Sequence, residues 1–255
     1  MASKGTYIAA SAMYVESTAL DIAARNLAHS QTTGYRREAF VHSDFATALG
    51  KQGRQGDLKS DGGGGILSAG SYFEQQGGAR ETTGAPLDVA LEGDGFFRVQ
   101  DPQGRTLLTR AGHFVTDGQG RLATPEGYLV QGQGGAIEIP PDAERLSIDQ
   151  DGRISAFITD NGVRRDAVID QLRLVRVEQP AALTARNGQY FDPGAQRQLD
   201  ATAHVHQGFL EKSNVEPIRE LAEMIAIQRR YDAAQKALRE MNTAGAGFSD
   251  VLRGA

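Results

Sequence analysis

Apolar positions divide the chain into three regimes. Between residues 5 and 30, Ile8, Ala12, Val15, Ala19 and Ile22 form one row at alternating steps of four and three. A second row, Ala9, Met13, Leu20, Ala23 and Leu27, is interrupted by Glu16. Such steps put side chains on one helix face, and two rows require neighbours on two sides. The pattern predicts a helix ending near Ser30, where Gln31-Thr32-Thr33-Gly34 brings in β-branched residues and a glycine. From 46 to 80 the periodicity vanishes, and GKQGRQGDLKSDGGGGILSAGS reads as a glycine-rich linker or excursion. From 81 to 205, short segments such as GFFRVQ, LLTRAGHFVT, RLSI and DQLRLVRVE read as strands. DPQGR (101–105), DGQGR (117–121), DQDGR (149–153) and DNGV (160–163) punctuate them. Asp, Asn and Gly suit hairpin turns there, because they tolerate positive φ or bond their own backbone.

Helical period returns near the C-terminal end. Ser213 followed by Glu216 reads as a capping box, with Pro217 in a first turn. Met224, Ile227, Tyr231, Ala234, Leu238 and Met241 then step three, four, three, four, three. Leu221 and Ile225 add a second face near the start. Beyond Asn242 the pattern fades, and Phe248, Val251 and Leu252 suggest a single turn at most. The expected fold class is α+β, with segments 1–45 and 206–255 pairing as a coiled-coil-like helical layer. A linker at 46–80 and an all-β domain at 81–205 separate them. The expected helix-packing and subunit-interface residues are Ile8, Val15, Ile22, Leu27, Met224, Ile227, Tyr231, Ala234, Leu238 and Met241. An antiparallel pair satisfies one stripe per helix, so the second stripe on the first helix favours contacts between subunits.

Composition narrows the function classes. A net charge of -5 gives no electrostatic footprint for nucleic acid or an anionic membrane. The absence of Cys removes disulfides, thiolate metal sites and thiol nucleophiles together. No apolar run is long enough to read as a membrane span or a cleaved signal. GQGRLA (118–123) superficially matches a dinucleotide fingerprint, but it lies between strand-like segments and opens no helix. DGGGG (61–65) lacks the Lys-Ser/Thr of a phosphate loop, and DQDGR lacks the remaining ligands of a calcium loop. His204 and His206 share a strand face without a third ligand, and His29, His42 and His113 stand alone in solvated or helix-end roles. No nucleophile elbow or H-E-x-x-H motif occurs. We therefore expect no catalytic, cofactor-binding or metal-ligating residues and no enzyme activity.

Three ordered blocks resemble the axial rod and hook proteins of the bacterial flagellar basal body. LDIAARNLAHSQTTGYRR is similar to the family's N-terminal helix and its Asn-Leu-Ala…Thr-Thr-Gly-Tyr ending. TTGAPLDVALEGDGFFRVQDPQGRTLLTRAGHFVTDGQGRLATPEGYLVQG is similar to its central β signature. GFLEKSNVEPIRELAEMIAIQRRYDAAQKAL is similar to its Ser-Asn-Val…Met-Ile…Gln-Arg-x-Tyr helix. Length and the stretch GQGGAIEIPPDAERLSIDQDGRIS are most similar to the proximal-rod branch, with the distal-rod branch next and the hook branch less so. The chain departs from the pattern at Arg25, His29 and Gln31, where Asn is frequent, at Arg230, where a small residue is usual, and at Ala234. The resemblance implies a structural subunit that polymerises into the drive shaft carrying torque from motor to hook. The implied partners are copies of itself, other rod and hook axial proteins and the flagellar type III export apparatus. The implied location is the periplasmic rod, reached without a cleaved signal peptide. Two readings from other classes stand beside it: a periplasmic module whose β domain captures a ligand, and a hydrolase built on β-domain carboxylates.

Overall fold

A computed structural model describes residues 4–44, 66–160, 163–186 and 188–253. It is mostly β, with an N-terminal helix α1 (Lys4–Ala28) and a C-terminal helix α2 (Pro217–Arg253). The chain divides into two compact units, each with its own interior. The helical unit comprises Met1–Ala28, Glu38–Tyr72 and Glu216–Ala255, and the β unit comprises His29–Arg37 and Phe73–Val215.

In the helical unit α1 packs against α2. Ala9, Val15, Ile22 and Ala23 of α1 and Ile227 of α2 are buried. Glu16, which breaks the apolar row of α1, has a partner across the pair: Arg230 Nε donates to its two carboxylate oxygens at 2.9 and 3.0 Å. Arg230 is half exposed, so the pair adds under about 1 kcal/mol and serves chiefly to fix register. Strands β1 (Glu38–Asp44) and β2 (Ile66–Phe73) form a two-stranded sheet. Thus Ile66–Phe73, inside the segment expected to be a linker, is a strand; the DGGGG run and the rest of 45–65 lie outside the described residues. The second helix also runs well past Asn242, to Arg253, where the pattern suggested a single turn. Ser213 does not cap it. The helix starts four residues later, at Pro217, and the Ser213 hydroxyl accepts from the Val215 N–H instead.

The strands of the β unit are β3 (Arg80–Thr82), β4 (Val89–Glu92), β5 (Phe96–Gln100), β6 (Thr106–Thr109), β7 (Val115–Thr116), β8 (Leu122–Ala123), β9 (Leu129–Val130) and β10 (Ala143–Ile148). They continue with β11 (Arg153–Asp160), β12 (Val163–Gln171), β13 (Leu174–Val177), β14 (Thr184–Arg186), β15 (Tyr190–Asp192), β16 (Gln198–Asp200), β17 (His204–Gln207) and β18 (Phe209–Glu211). The main sheet has the order β14-β15-β6-β5-β9-β8-β7, with β13 joining β5 to β16. A second sheet is β10-β11-β12, and β17-β4 and β18-β3 are two-stranded ribbons. These last pairings hold residues 204–211 in the β unit, so it extends to Val215 rather than ending at 205.

Side chains on successive strand residues point to opposite faces. One face of the main sheet sends Phe97, Leu107, Leu174 and Tyr190 into a core shared with Val89, Phe114 and Ile154. The neighbouring residues Phe96, Leu108, Val175 and Phe191 enter a second core with Phe73. Both faces are covered, which is why Phe-Phe, Leu-Leu and Tyr-Phe pairs replace clean alternation in these segments.

The recurrent D-x-x-G-R motif builds one turn three times. Asp101 Oδ1 accepts from the N–H groups of Gln103 and Arg105 at 3.0 and 2.8 Å. Asp117 does the same with Gln119 and Arg121 at 2.8 and 2.9 Å, and Asp149 with Asp151 and Arg153 at 3.0 and 2.8 Å. The fourth residue is Gly104, Gly120 or Gly152, at φ of +81°, +81° and +78°, a region that disfavours any side chain. The Arg closes the turn on the same carboxylate at Asp101 and Asp117. GQGRLA is the middle one of these turns, leading into the β7–β8 pairing.

Asp117 is held below the ordinary carboxylate range, first by the Arg121 N–H against the opposing effect of burial, then by the Arg121 side chain and the Gln119 N–H. With the folded pKa below the unfolded one, its stabilisation is complete above the unfolded value of 3.8 and is lost as pH falls through the folded value. Thermal melts of Asp117→Asn and the parent chain are therefore expected to differ at neutral pH and to converge as pH falls below 3.8. A gap that stays constant down to acid-induced unfolding would contradict this account.

Candidate assembly interface

The residues expected to pack the helices separate into three groups. Val15, Ile22 and Ile227 are buried. Ile8, Leu27, Met224, Tyr231, Ala234 and Leu238 are partly buried, while Met241 is exposed. The exposed side of α2 carries Ile218 at 85%, Leu221 at 48% and Ile225 at 57%. Their spacing of three and four aligns them in one stripe. On α1, Tyr7 and Tyr14 are exposed on one face, one heptad apart. Leu221 and Ile225 are legible as a second face from sequence. Ile218, Tyr7 and Tyr14 are not, because each falls outside the dominant apolar rows.

At the end of α1 the buried Asn26 amide pairs with both backbone polar groups of Glu38. Its Nδ2 donates to the Glu38 carbonyl, and its Oδ1 accepts from the Glu38 N–H, both at 2.9 Å. A side chain here completes the start of β1 as a neighbouring strand would. Arg25 adds an ion pair to the Glu38 carboxylate at 2.9 Å.

Within the β unit, the segments that precede β1 and α2 in sequence meet each other. Gly34 donates to the Glu211 carbonyl at 2.8 Å. Its φ is +69°, and a Cβ there would fall 2.3 Å from Ala111 N, so only glycine fits. Asn214 Oδ1 accepts from the Arg37 N–H at 2.6 Å, and its Nδ2 donates to the Gln76 carbonyl at 2.9 Å. His29, expected in a solvated or helix-end role, directly follows α1 and stacks on the buried Tyr35 ring at 4.8 Å.

The same junction buries charge. Arg36 Nη2 lies 2.8 Å from the Glu211 carboxylate and Arg110 Nη1 lies 3.5 Å from it, with all three side chains almost inaccessible. Arg110 also donates to the Gly93 carbonyl and lies over the Phe96 ring. Burial pushes the Arg110 guanidinium down to about 10; Glu211 opposes the shift, Arg36 adds to it as a like charge, and Asp94 opposes it. Burial lowers Arg36 too, against Glu211 and Asp94. Sequence reasoning missed this cluster because its members lie on three distant segments. Among the described residues no group of three or more His, Asp or Glu is arranged to hold a metal ion, and His206 pairs instead with Glu92 at 2.6 Å.

Residues 90–156 match the flagellar hook protein FlgE/F/G D1 domain, and residues 206–243 match the flagellar basal body rod FlgEFG protein C-terminal family. The chain is 30% identical to the flagellar basal-body rod protein FlgG of Bacillus subtilis over 92% of its length and 94% of that protein's. It is 31% identical to the rod protein FlgF of Caulobacter vibrioides, over 92% and 91%, and to FlgF of Rhizobium meliloti, over 92% of each.

The chain belongs to the flagellar basal-body rod protein family.

It is similar to FlgF and FlgG to the same degree, which makes it a rod protein of the FlgF/FlgG type. The family is structural and not enzymatic, and its place is the flagellar basal body. The two family matches cover different parts of this rod protein. The first spans β4 to the first half of β11, including the three D-x-x-G-R turns; the second runs from β17 through the heptad of α2. No helix among its described residues is long and apolar enough to cross a membrane. Two departures from the family pattern carry ion pairs here, Arg25 with Glu38 and Arg230 with Glu16.

Two substitutions test the anchoring of this rod protein's segments. Asn26→Ala leaves both Glu38 backbone groups without the amide and is expected to cost about 1–3 kcal/mol in urea melts. Glu211→Gln leaves two buried guanidiniums facing a neutral amide, with an expected loss of about 3–5 kcal/mol. An unchanged unfolding midpoint for Glu211→Gln would show that water reaches and solvates the arginines.

Proposed function

We propose that this chain polymerises through its helical unit into the axial rod, where the subunits together carry torque from motor to hook. The carrying observation is the exposed apolar stripe of Ile218, Leu221 and Ile225 on α2, a helix whose opposite face is already covered. A stripe on one subunit that seats against a different face of the next makes a heterologous contact, and such contacts build open helical filaments when rotation does not close. Tyr7 and Tyr14 on α1 offer the complementary face: broad, flat and with a polar tip. In this reading α1 and α2 form a coiled-coil-like layer, and Met241 acquires its cover from a neighbour. Torque is then borne by many small apolar contacts rather than by one strong bond.

The partners in this reading are copies of the chain and other rod and hook axial proteins, with the flagellar type III apparatus exporting it to the periplasm without a cleaved signal. The proximal-rod position is supported by the stretch 132–155.

Met224 and Leu238 are partly buried, so charges there would disturb the helix pair itself. The discriminating variant is Ile218→Asp with Ile225→Asp. We expect unchanged helicity and an unchanged melting temperature of the monomer, together with loss of rod assembly and of swimming. Normal swimming by cells that carry only this double variant would overturn the proposal.

A further inference from the structure

The β unit contains a cleft of about 290 Å³ lined by Arg36, Gln75, Gln76, Gly77, Arg110 and Glu211, among others. We propose that this cleft is an oxyanion site that takes one carboxylate-sized monoanion. The inference does not depend on the rod reading.

Charge makes the first case. Two guanidiniums and one carboxylate are buried together, leaving one positive charge in excess. Asp94, which acts on both arginines, is exposed at the rim. Glu92 is already engaged by Arg80 and His206. A buried charge without a partner is costly, and one added monoanion neutralises the cluster, whereas a dianion would overshoot.

Hydrogen bonding makes the second case independently. Arg36 Nη1 and Arg110 Nε are buried and have no hydrogen-bond acceptor among the described residues. Both belong to side chains more than nine-tenths buried that line the cleft. Donors of this kind bind anions through charge-assisted bonds, and planar guanidiniums suit the flat carboxylate. The wall is shaped for access. Gly77 keeps the wall free of a side chain where a Cβ would lie 3.2 Å from Arg36 Nη1 and 2.9 Å from Glu211 Oε1, a carboxylate oxygen that itself lacks a hydrogen-bond donor among the described residues. Glycine at 78 lets this wall run against the Lys212 carbonyl, which a Cβ would meet at 1.9 Å. Two sources could supply the anion: an acidic side chain of an adjoining subunit, or a free monoanion in solution.

The test uses the full chain labelled with nitrogen-15. Sodium acetate is titrated against sodium fluoride at constant ionic strength and neutral pH, following the Arg110 Nε–Hε resonance and the melting temperature. The expected result is a saturable shift of that resonance with a matching rise in melting temperature. Gln76→Glu, which offers a carboxylate from the cleft wall, is expected to raise the melting temperature by itself and to abolish the acetate response. In assembled material, a resonance already at its bound position and indifferent to acetate identifies a neighbour's side chain as the occupant. A resonance that still answers to acetate identifies a free anion. An Arg110 resonance that acetate never shifts in the free chain, with Gln76→Glu no more stable than the parent, overturns the site.

Discussion

Glu211 holds two arginines from distant parts of the chain in a place that water scarcely reaches, and the β unit is organised around that contact. Arg36 reaches it from the segment after α1, and Arg110 from the segment after β6. Around it the Arg37 N–H meets Asn214 across a sequence separation of 177. Closing so long a loop costs about 5 kcal/mol of chain entropy, several times the net return of one hydrogen bond. The junction therefore cannot form alone. It depends on the intervening sheet, which shortens the effective loop, and on the set of contacts made together by Gly34, Arg36, Arg37 and Asn214. Such long-range closure is slow to form and costly to break in part.

The sheet that makes this possible is covered on both sides. Neighbouring residues on four strands feed opposite cores, so each short strand buries nearly all its apolar surface and needs little length to be stable. Short strands demand frequent reversals. The repeated Asp-x-x-Gly-Arg turn supplies them with one local solution: a carboxylate that satisfies the turn's N–H groups, a glycine that accepts positive φ and, at Asp101 and Asp117, an arginine that returns the charge.

The helical unit follows a different rule. Its helices bury one face against each other and keep a second apolar stripe outside. A soluble domain that needed nothing further would have polar residues at Ile218 and Ile225. On the proposed reading this surface is an unfinished interior that the next subunit completes. A structural subunit of this kind puts its function in the surfaces it leaves uncovered rather than in a catalytic pocket.

The sequence by itself determined what is local. Helical period located α1 and the heptad of α2, and the Asp-x-x-Gly-Arg spacing identified each turn, because the partners lie within a few residues and bond whatever the rest of the chain does. The ordered motif blocks likewise identified the family. Local pattern failed where long-range partners decide. Ser213 has the spacing of a capping box, yet residues 204–211 are drawn into ribbons with β3 and β4 and the helix begins later. Ile66–Phe73 lacks a strand's alternation and is a strand because β1 supplies its partner. No local pattern links Arg36 and Arg110 to Glu211, and only the tertiary structure brings them together. The physical reason is the same in each case: a buried charge, a strand edge and a helix end are defined by what covers them, and the covering groups come from elsewhere in the chain.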